Sequence, residues 1–307
     1  MKKAEAEYFD KSAQRRTALG QIPMEADIRR ATRLTPFSPD QEPIDPKMTQ
    51  ILEGSFRDRL IDYVAHYPGG KVLDICCGPG WLALELGRHG QTVDAYDLSP
   101  EAIALAERML GENPFKEGFG QVNYHLEDIT RLDLGKETFD AVSGWSAFHH
   151  LPDLLSFMDR VHQALKPGGI VATLDDLPRR RLDKWIERFF GLLLPTYNRT
   201  YREKIRASIR RIRGIAQERP EYFTPMEEVA AKDKVVFDFA DYLYDKFEVL
   251  WDVHFNAFAL FSCILLIGPD WFRYTVARAI IWLDRLLCRL GVCRGWFRII
   301  IARKHQP

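Results

Sequence analysis

Glycine and acidic residues recur at the ends of three apolar runs of this sequence. The run "VLDICC", residues 72–77, is followed by Gly78 and Gly80, and the next two runs end near Asp97 and Asp128. Glycines after a strand let the bare backbone approach a small molecule, and an acidic residue about 20 residues further on can hold ribose hydroxyls. The spacing therefore indicates a nucleotide-like ligand at one edge of a sheet.

Each of these residues also has a simpler explanation. A glycine-rich turn between a strand and a helix is a common connection, Asp97 can form an Asx turn, and Asp128 can cap a short helix. A P-loop is excluded because no Lys-Ser or Lys-Thr pair follows the glycines, and the strict GxGxxG pattern is not met. Three strand ends in register still favour a binding crevice, with Cys76 and Cys77 as small packing residues.

Short β-rich runs alternate with helical stretches from residue 71 to residue 176. This alternation predicts a parallel sheet with crossover helices. Ser99 and Pro100 predict the start of one helix, as its N-cap and its first residue. The segment "KPGG" at 166–169 predicts the end of another.

Five segments, in this order, resemble the class I S-adenosylmethionine-dependent methyltransferases: "VLDICCGPG", "YDLSPEAIALA", "EDI", "FDAVSGWSAFHHLPD" and "ALKPGGIVATLDD". The resemblance covers roughly residues 56–176. It implies an α/β fold with a Rossmann-like, mostly parallel seven-stranded sheet, helices on both faces, an antiparallel last strand and helical insertions that form a lid. It also implies a methyltransferase with S-adenosyl-L-methionine as cofactor.

The resemblance gives the first strand's end a role in binding the methionine part of the cofactor. It implies that Asp74, Gly78 and Gly80 surround that part. Cys76 belongs to the same candidate site but departs from the family, which usually has glycine there. A cysteine is small enough to be tolerated, although its backbone has less freedom to approach a ligand.

The ends of the second and third strands are implied to bind the nucleoside part. By resemblance, Asp97 binds the ribose hydroxyls and Leu98 packs on the adenine. Asp128, with Ile129, is implied to read the adenine edge. These residues complete the predicted cofactor site.

Two histidines, His149 and His150, follow the fourth strand, where the methyl group should lie. Methyl transfer from a sulfonium requires mainly alignment and removal of a proton from the acceptor, so one histidine is a candidate general base. The alternative is a structural role in orienting the loop, and the sequence leaves this choice open. Asp175 and Asp176, after the fifth strand, either bind the acceptor or form a solvated turn.

The 43 basic and 43 acidic residues are unevenly distributed along the 307-residue chain. The net charges by segment are −9 for 1–176, +9 for 177–219, −7 for 220–270 and +7 for 271–307. Two basic segments within an acidic chain indicate an anionic surface as a partner.

The five cysteines show no CxxC spacing and no nearby histidine pair, so neither a disulfide framework nor a metal site is predicted. The N-terminus lacks the apolar core of a signal peptide, and the apolar run at 255–267 is too short to cross a bilayer. A cytoplasmic protein is expected, with any peripheral contact on the inner face of the cytoplasmic membrane.

Four segments are expected from these patterns. They are an N-terminal helical arm with a proline-rich linker (1–55), the cofactor-binding core (56–176), a basic helical insertion that covers the substrate (177–246), and the last two strands with an amphipathic insertion at 256–295 (247–307).

Within the second insertion, residues 271–290 form an amphipathic pattern on a helical wheel. The predicted apolar side is Phe272, Val276, Ala279, Ile280, Leu283, Leu286, Leu287 and Leu290. The predicted polar side is Arg273, Arg278, Asp284, Arg285 and Arg289. Trp271 and Trp282 near its boundaries are typical of an interfacial membrane helix.

The leading hypothesis is a methyltransferase that acts on a lipid-like or hydrophobic acceptor, with peripheral membrane contact through 177–219 and 256–295. The amphipathic helix can instead pack on the sheet, as most such helices do. That alternative corresponds to a soluble small-molecule methyltransferase, and a non-catalytic binding protein with the same fold is a third. Nucleic acid is not expected as a partner, because no compact reading motif accompanies the basic residues.

Overall fold

The computed structural model describes residues 2–18, 45–66, 69–113, 117–177, 180–196, 199–213 and 239–306. Its seven-stranded sheet has the order β3-β2-β1-β4-β5-β7-β6. The strands are β1 Lys71–Ile75, β2 Thr92–Asp97, β3 Gln121–Leu126, β4 Phe139–Trp145, β5 Leu165–Asp176, β6 Phe247–Phe255 and β7 Phe297–Lys304. Strand β7 is antiparallel to β5 and β6, and the other neighbours pair in parallel. The predicted Rossmann-like sheet with an antiparallel last strand is confirmed.

The described helices surround this sheet and follow its strands. They are α1 Lys2–Ala18, α2 Pro46–Thr49, α3 Ser55–Val64, α4 Trp81–Arg88, α5 Pro100–Glu112, α6 Leu154–Ala164, α7 Arg181–Leu193, α8 Tyr201–Ile212, α9 Ala240–Lys246, α10 Ala259–Cys263 and α11 Asp270–Arg289. A π-helical turn, Gln50–Gly54, joins α2 to α3. Ser99 caps α5 as predicted, since its Oγ accepts from the backbone N–H of Ala102 at 3.0 Å.

Helix α6 ends just before the segment "KPGG", as the sequence predicts. Its last residue is Ala164, and residues 166–169 already belong to β5, with Leu165 opposite Phe139 of β4. Pro167 contributes to this end, because a proline disfavours helical backbone at the residue before it. The chain is therefore extended from Leu165 onward.

Alternate residues of the central strands build an apolar core on each face of the sheet. Leu73, Val142 and Val171 face one core, which α6 and α9 cover. Val72 and Ala141 face the other, beneath α3 and α4. Since both faces are buried, these strands read as almost continuous apolar runs. The strand order reverses beside β1, and ligand crevices of such sheets lie at this point, outside the carboxyl ends of the strands.

Helix α11 packs on a third apolar cluster, which includes Met48, Leu52 and Phe258. Its buried residues are Tyr274, Ala277, Ile280, Ile281 and Asp284. Leu283 belongs to the predicted apolar side, which the membrane hypothesis turns toward lipid, but it packs against this cluster instead. A helical wheel shows how wide the apolar side of a helix is. Which part of that side is buried depends on the segments of the chain that pack on it.

Asp284 is a second correction to the predicted helix. The sequence placed it on the solvated polar side, yet it is fully buried. Its Oδ2 accepts hydrogen bonds from the backbone N–H of Phe258 at 2.8 Å and of Ala259 at 3.0 Å. Burial raises the pKa of Asp284, while these hydrogen bonds oppose the rise. The carboxyl group thus satisfies buried donors where α10 begins.

Two predicted segments lie partly outside the described residues. Most of the proline-rich linker at 35–47 falls there, and so does 214–238 within the predicted substrate-covering insertion. The described parts are the N-terminal helix α1 and, in the insertion, α7, α8 and α9. The division of the chain into four segments stays a prediction.

Candidate active site

The loop between β1 and α4 carries left-handed backbone at three positions. Gly78 and Gly80 have φ values of 52° and 74°, and Cys76 has 48°. Glycine adopts this region without a steric cost, whereas a cysteine there is strained. The structure thus explains why glycine would suit position 76.

Strained residues recur along the carboxyl edge of the sheet. Among the described residues, five other than glycine have positive φ, and three of these directly follow strands: Cys76 after β1, Ser146 after β4 and Asn256 after β6. Backbone strain of this kind clusters at functional sites, where it holds the chain in one geometry. The carboxyl edge is therefore the candidate site on structural grounds as well.

The two loop glycines have different surroundings. A Cβ at Gly78 would meet no atom within 4 Å, so this residue faces open space. At Gly80 a Cβ would collide with the ring of Tyr124, whose hydroxyl donates to the carbonyl oxygen of Gly80 at 3.0 Å. The structure places Gly78 beside the crevice, whereas the Cα of Gly80 packs under Tyr124.

Asp97 connects the loops that follow β1 and β2. Its Oδ2 accepts from the backbone N–H of Gly78 and its Oδ1 from that of Ser99, both at 2.8 Å. The second bond is the Asx turn considered as the simpler explanation. Burial raises the pKa of Asp97, although the two N–H groups oppose the rise. Leu98 beside it is half-buried.

Asp128 lies at the corresponding position after β3. Its Oδ1 accepts from the backbone N–H of Thr130 at 3.1 Å and so caps the short 3-10 turn that begins with the buried residue Ile129. The Nζ of Lys2 donates to Oδ2 at 2.5 Å. Although burial opposes it, the hydrogen bonds from Lys2 and Thr130 hold the pKa of Asp128 below its usual value. The predicted capping role is present, and adenine recognition stays a prediction.

The two histidines after β4 have different carboxylate partners. His149 is buried, and its Nδ1 lies 2.9 Å from Oδ1 of Asp175 at the end of β5. The other oxygen of Asp175 accepts from the hydroxyl of Thr173. The Nδ1 of His150 lies 2.8 Å from Oε1 of Glu5 in α1, and the two imidazole rings are 4.1 Å apart. Asp175 is thus buried against His149 and forms no solvated turn.

Residues 72–169 match the family model of a methyltransferase domain. These residues therefore form a methyltransferase domain. The methyltransferase resemblance stated from the sequence is confirmed for these residues. S-adenosyl-L-methionine is the cofactor that this resemblance implies.

Three curated relatives are similar to this chain over part of their length. An uncharacterized methyltransferase of Synechocystis is 35% identical over 40% of this chain and 55% of its own length. A ubiquinone biosynthesis O-methyltransferase of Xanthomonas campestris is 33% identical over 48% and 63%, respectively. A demethylmenaquinone methyltransferase of Desulfitobacterium hafniense is 28% identical over 51% and 62%. The chain therefore spans between half and two thirds of the length of these relatives.

The charges of the crevice fit a cationic cofactor. Burial, and then the negative charge of Asp97, hold the pKa of Asp74 well above its usual range. One oxygen of the buried Asp74 has no hydrogen-bond partner among the described residues. Burial and four carboxylates, those of Asp97, Asp74, Asp175 and Glu5, raise the pKa of the Cys76 thiol. A methyltransferase crevice lined by carboxylates suits the sulfonium and ammonium groups of S-adenosyl-L-methionine.

Sequence reasoning missed a buried arginine near the candidate site. Arg57 in α3 lies 5.2 Å from the ring of Trp81, which begins α4, and 5.4 Å from the ring of Trp145, which ends β4. Its guanidinium pairs with Glu53 at 3.2 Å. Arg57 precedes the recognisable motifs, and its aromatic neighbours come from distant parts of the chain, so no sequence signal identified it. The tryptophans form an aromatic wall beside the cofactor loop.

Proposed function

We propose that the protein transfers the methyl group of S-adenosyl-L-methionine to a ring hydroxyl of a hydrophobic, quinone-related acceptor, and that it does so at a membrane surface. The family match supports the transfer. Two relatives with names that refer to ubiquinone and demethylmenaquinone support the acceptor class. The aromatic wall of Trp81 and Trp145 suits a planar ring.

An exposed apolar surface on the two insertions carries the membrane part of the proposal. Of the sixteen large hydrophobic side chains that are exposed among the described residues, thirteen lie within 177–219 and 256–295. We call the exposed faces of α7, α8 and α11 the insertion surface. Contiguous exposed apolar side chains are uncommon on proteins without a partner for them.

Helix α7 illustrates how this surface arises. Ile186, Phe190 and Leu194 pack toward the third apolar cluster. On the adjacent side of the helix a stripe remains exposed, formed by Leu182, Trp185, Phe189 and Leu193. Their spacing of three, four and four residues places these side chains on one face. The described part of the chain thus covers only half of the apolar arc of α7.

Helix α11 adds tryptophans and arginines to the insertion surface. Trp271 is 72% exposed and Trp282 is 66% exposed, and both lie on the side that carries the exposed Arg278 and Arg289. Aromatic rings beside arginines suit the headgroup region of an anionic membrane. No described helix is long and apolar enough to cross a bilayer.

The insertion surface adjoins the candidate active site along the chain. Helix α7 follows the carboxyl end of β5, where Asp175 lies, and α10 and α11 follow the carboxyl end of β6. Both insertions therefore leave the sheet at the edge that holds the crevice. This position suits delivery of a hydrophobic acceptor to the crevice.

The pair of His149 and Asp175 supplies the base in this proposal. Asp175 accepts at Nδ1, which leaves Nε2 as the basic nitrogen of the ring. Bound cofactor supplies an activated methyl group, so the protein has to align the acceptor and remove its hydroxyl proton. His150 is engaged by Glu5 instead and is assigned no proton transfer.

Vesicle binding tests the membrane contact. We expect the wild type to co-sediment with anionic vesicles, and Trp185→Ser with Phe189→Ser to weaken binding by about 2 kcal/mol, roughly thirty-fold. Leu155→Ser is the matched control, because Leu155 is 55% exposed in α6, away from the insertion surface, and Phe189 is 58% exposed. Equal binding by all three proteins, or none by the wild type, would contradict membrane contact.

Labelling identifies the acceptor. The protein is incubated with methyl-labelled S-adenosyl-L-methionine and either a membrane-lipid extract or an aqueous extract. We expect label in the lipid fraction, in a methyl group that hydriodic acid cleaves, as it does methyl ethers. Label only in the aqueous fraction would favour a soluble small-molecule methyltransferase. Cofactor binding without any label transfer would favour a non-catalytic protein.

A further inference from the structure

Helix α1 contacts residues that follow three successive strands of the candidate cofactor site. The Nζ of Lys2 donates to Asp128 after β3, and Oε1 of Glu5 lies 2.8 Å from Nδ1 of His150 after β4. The Oγ of Ser99, after β2, donates to Oδ1 of Asp10 at 2.6 Å. Polar groups of α1 are therefore spread along the carboxyl edge, one strand end after another.

Glu5 reaches furthest into this edge. It is only 6% exposed, and it is one of the four carboxylates whose charges raise the pKa of Cys76. On the same helix, the ring of Phe9 meets the imidazole of His150 edge-on at 5.4 Å. Helix α1 thus forms part of the wall around the loop that follows β1.

The attachment of α1 is mostly polar. Ala13 is the part of its described surface that enters an apolar core, where it meets Leu105 and Met109. Lys2, which pairs with Asp128, is 34% exposed, and such ion pairs stabilise little because water competes for both partners. A segment held by a few polar contacts, the edge-on contact of Phe9 and one small apolar residue can open while the rest of the domain stays folded.

We infer that α1 is a cover of the cofactor crevice, and that Lys2 and Glu5 are the positioning residues that hold it closed over S-adenosyl-L-methionine. This inference rests on the proposed placement of the cofactor against Asp97 and Asp128. In the closed state Lys2 engages the carboxylate after β3 and Glu5 engages His150. Release of both contacts opens the way to the buried Asp74 and Cys76 loop.

Stopped-flow binding of S-adenosyl-L-methionine, followed by tryptophan fluorescence, tests the cover. Lys2→Ala with Glu5→Ala should raise both the association and the dissociation rate of the cofactor about tenfold, since charge-assisted contacts that hold α1 closed are lost. Glu5→Gln, which keeps the length of the side chain and removes its charge, should change the rates less than the double variant does. Glu7→Ala is the matched control on an exposed side of α1, and it should leave both rates unchanged.

The outcomes separate this inference from the cofactor placement. Unchanged rates in the double variant, with a normal melting temperature, would overturn the cover. A faster dissociation with unchanged association would also overturn it, because α1 would then be a fixed wall. Asp97→Ala in the same assay tests the placement alone: if its cofactor affinity equals that of the wild type, the proposed site fails whatever α1 does.

Discussion

The carboxyl ends of β1 to β3 and the insertion surface lie at the same end of the sheet. They differ in which side chains are buried and which are exposed. At the strand ends, carboxylates are buried and largely held by hydrogen bonds, as Asp97 is by Gly78 and Ser99. On the insertion surface, large apolar side chains such as Trp185 are left outside. Both arrangements cost free energy in the isolated protein, because a buried charge and an exposed apolar face each lack a favourable environment.

This difference indicates what each region binds. Buried carboxylates gain from a cation, and the cofactor carries a sulfonium and an ammonium group. Exposed apolar side chains gain from removal of water, and lipid or a hydrophobic acceptor provides it. The following predictions test the contrast, from the largest expected effect to the smallest.

Loss of the proposed base should have the largest effect. His149→Ala should lower kcat by about 10² to 10⁴, the range of general base catalysis, while cofactor affinity stays close to that of the wild type. Asp175→Asn should lower kcat as well, because it changes the proton arrangement at Nδ1. Steady-state kinetics and calorimetry measure the two quantities. Near-normal turnover in both variants would make this pair structural.

Asp284→Ala tests whether the insertion is an integral part of the fold. The change leaves the N–H groups of Phe258 and Ala259 buried without their acceptor, so we expect a loss of about 3 kcal/mol in the free energy of unfolding. Chemical denaturation measures it. Arg289→Ala, at an exposed position of the same helix, is the control and should change little. Equal stabilities would mean that α11 is loosely attached.

Asp97→Ala should weaken cofactor binding by about 2 kcal/mol, roughly thirty-fold, because a hydrogen-bonding carboxylate is removed from the ribose. Calorimetry on the folded variant measures this change. Leu155→Ala, in an exposed part of α6, provides the comparison. Unchanged cofactor affinity would show that Asp97 only stabilises its Asx turn.

Cofactor affinity should depend on pH at the same edge. Asp74 and Asp97 have raised pKa values, chiefly because they are buried. Below those values the carboxyl groups are protonated, so Asp74 cannot pair with a cation and Asp97 is a weaker acceptor for the ribose hydroxyls. Affinity should therefore rise with pH until both are ionised. Within that rising range, binding should release at most about one proton per carboxyl group, which calorimetry in two buffers detects. Proton uptake at acidic pH would contradict the acidic crevice.

Cys76→Gly should have the smallest effect. Glycine removes a strained left-handed residue, and we expect a gain of about 1 kcal/mol in the free energy of unfolding. Gly78→Ala, at the neighbouring left-handed position, should destabilise instead. Thermal unfolding of both variants measures these changes in stability. A loss of stability in Cys76→Gly would mean that the packing of the thiol outweighs the strain.

Much of the fold could be predicted from the sequence, because local patterns specify it. Ser99 marks a helix start by residue type alone, and the alternation of strands and helices predicts a parallel sheet. The strand ends at Gly78, Asp97 and Asp128 could be found for the same reason. The end of α6 before "KPGG" could also be found, because a proline acts on the backbone of the residue before it.

The sequence by itself determined the order of the elements and the residues at each strand end, since both follow from short-range spacing and residue type. Only the tertiary structure decided that Asp175 meets His149, that Glu5 meets His150 and that Asp284 is buried. Such contacts join residues from different elements, and packing alone sets their distances. The covered part of each amphipathic helix was decided in the same way, because an apolar arc can be wider than the core available to it.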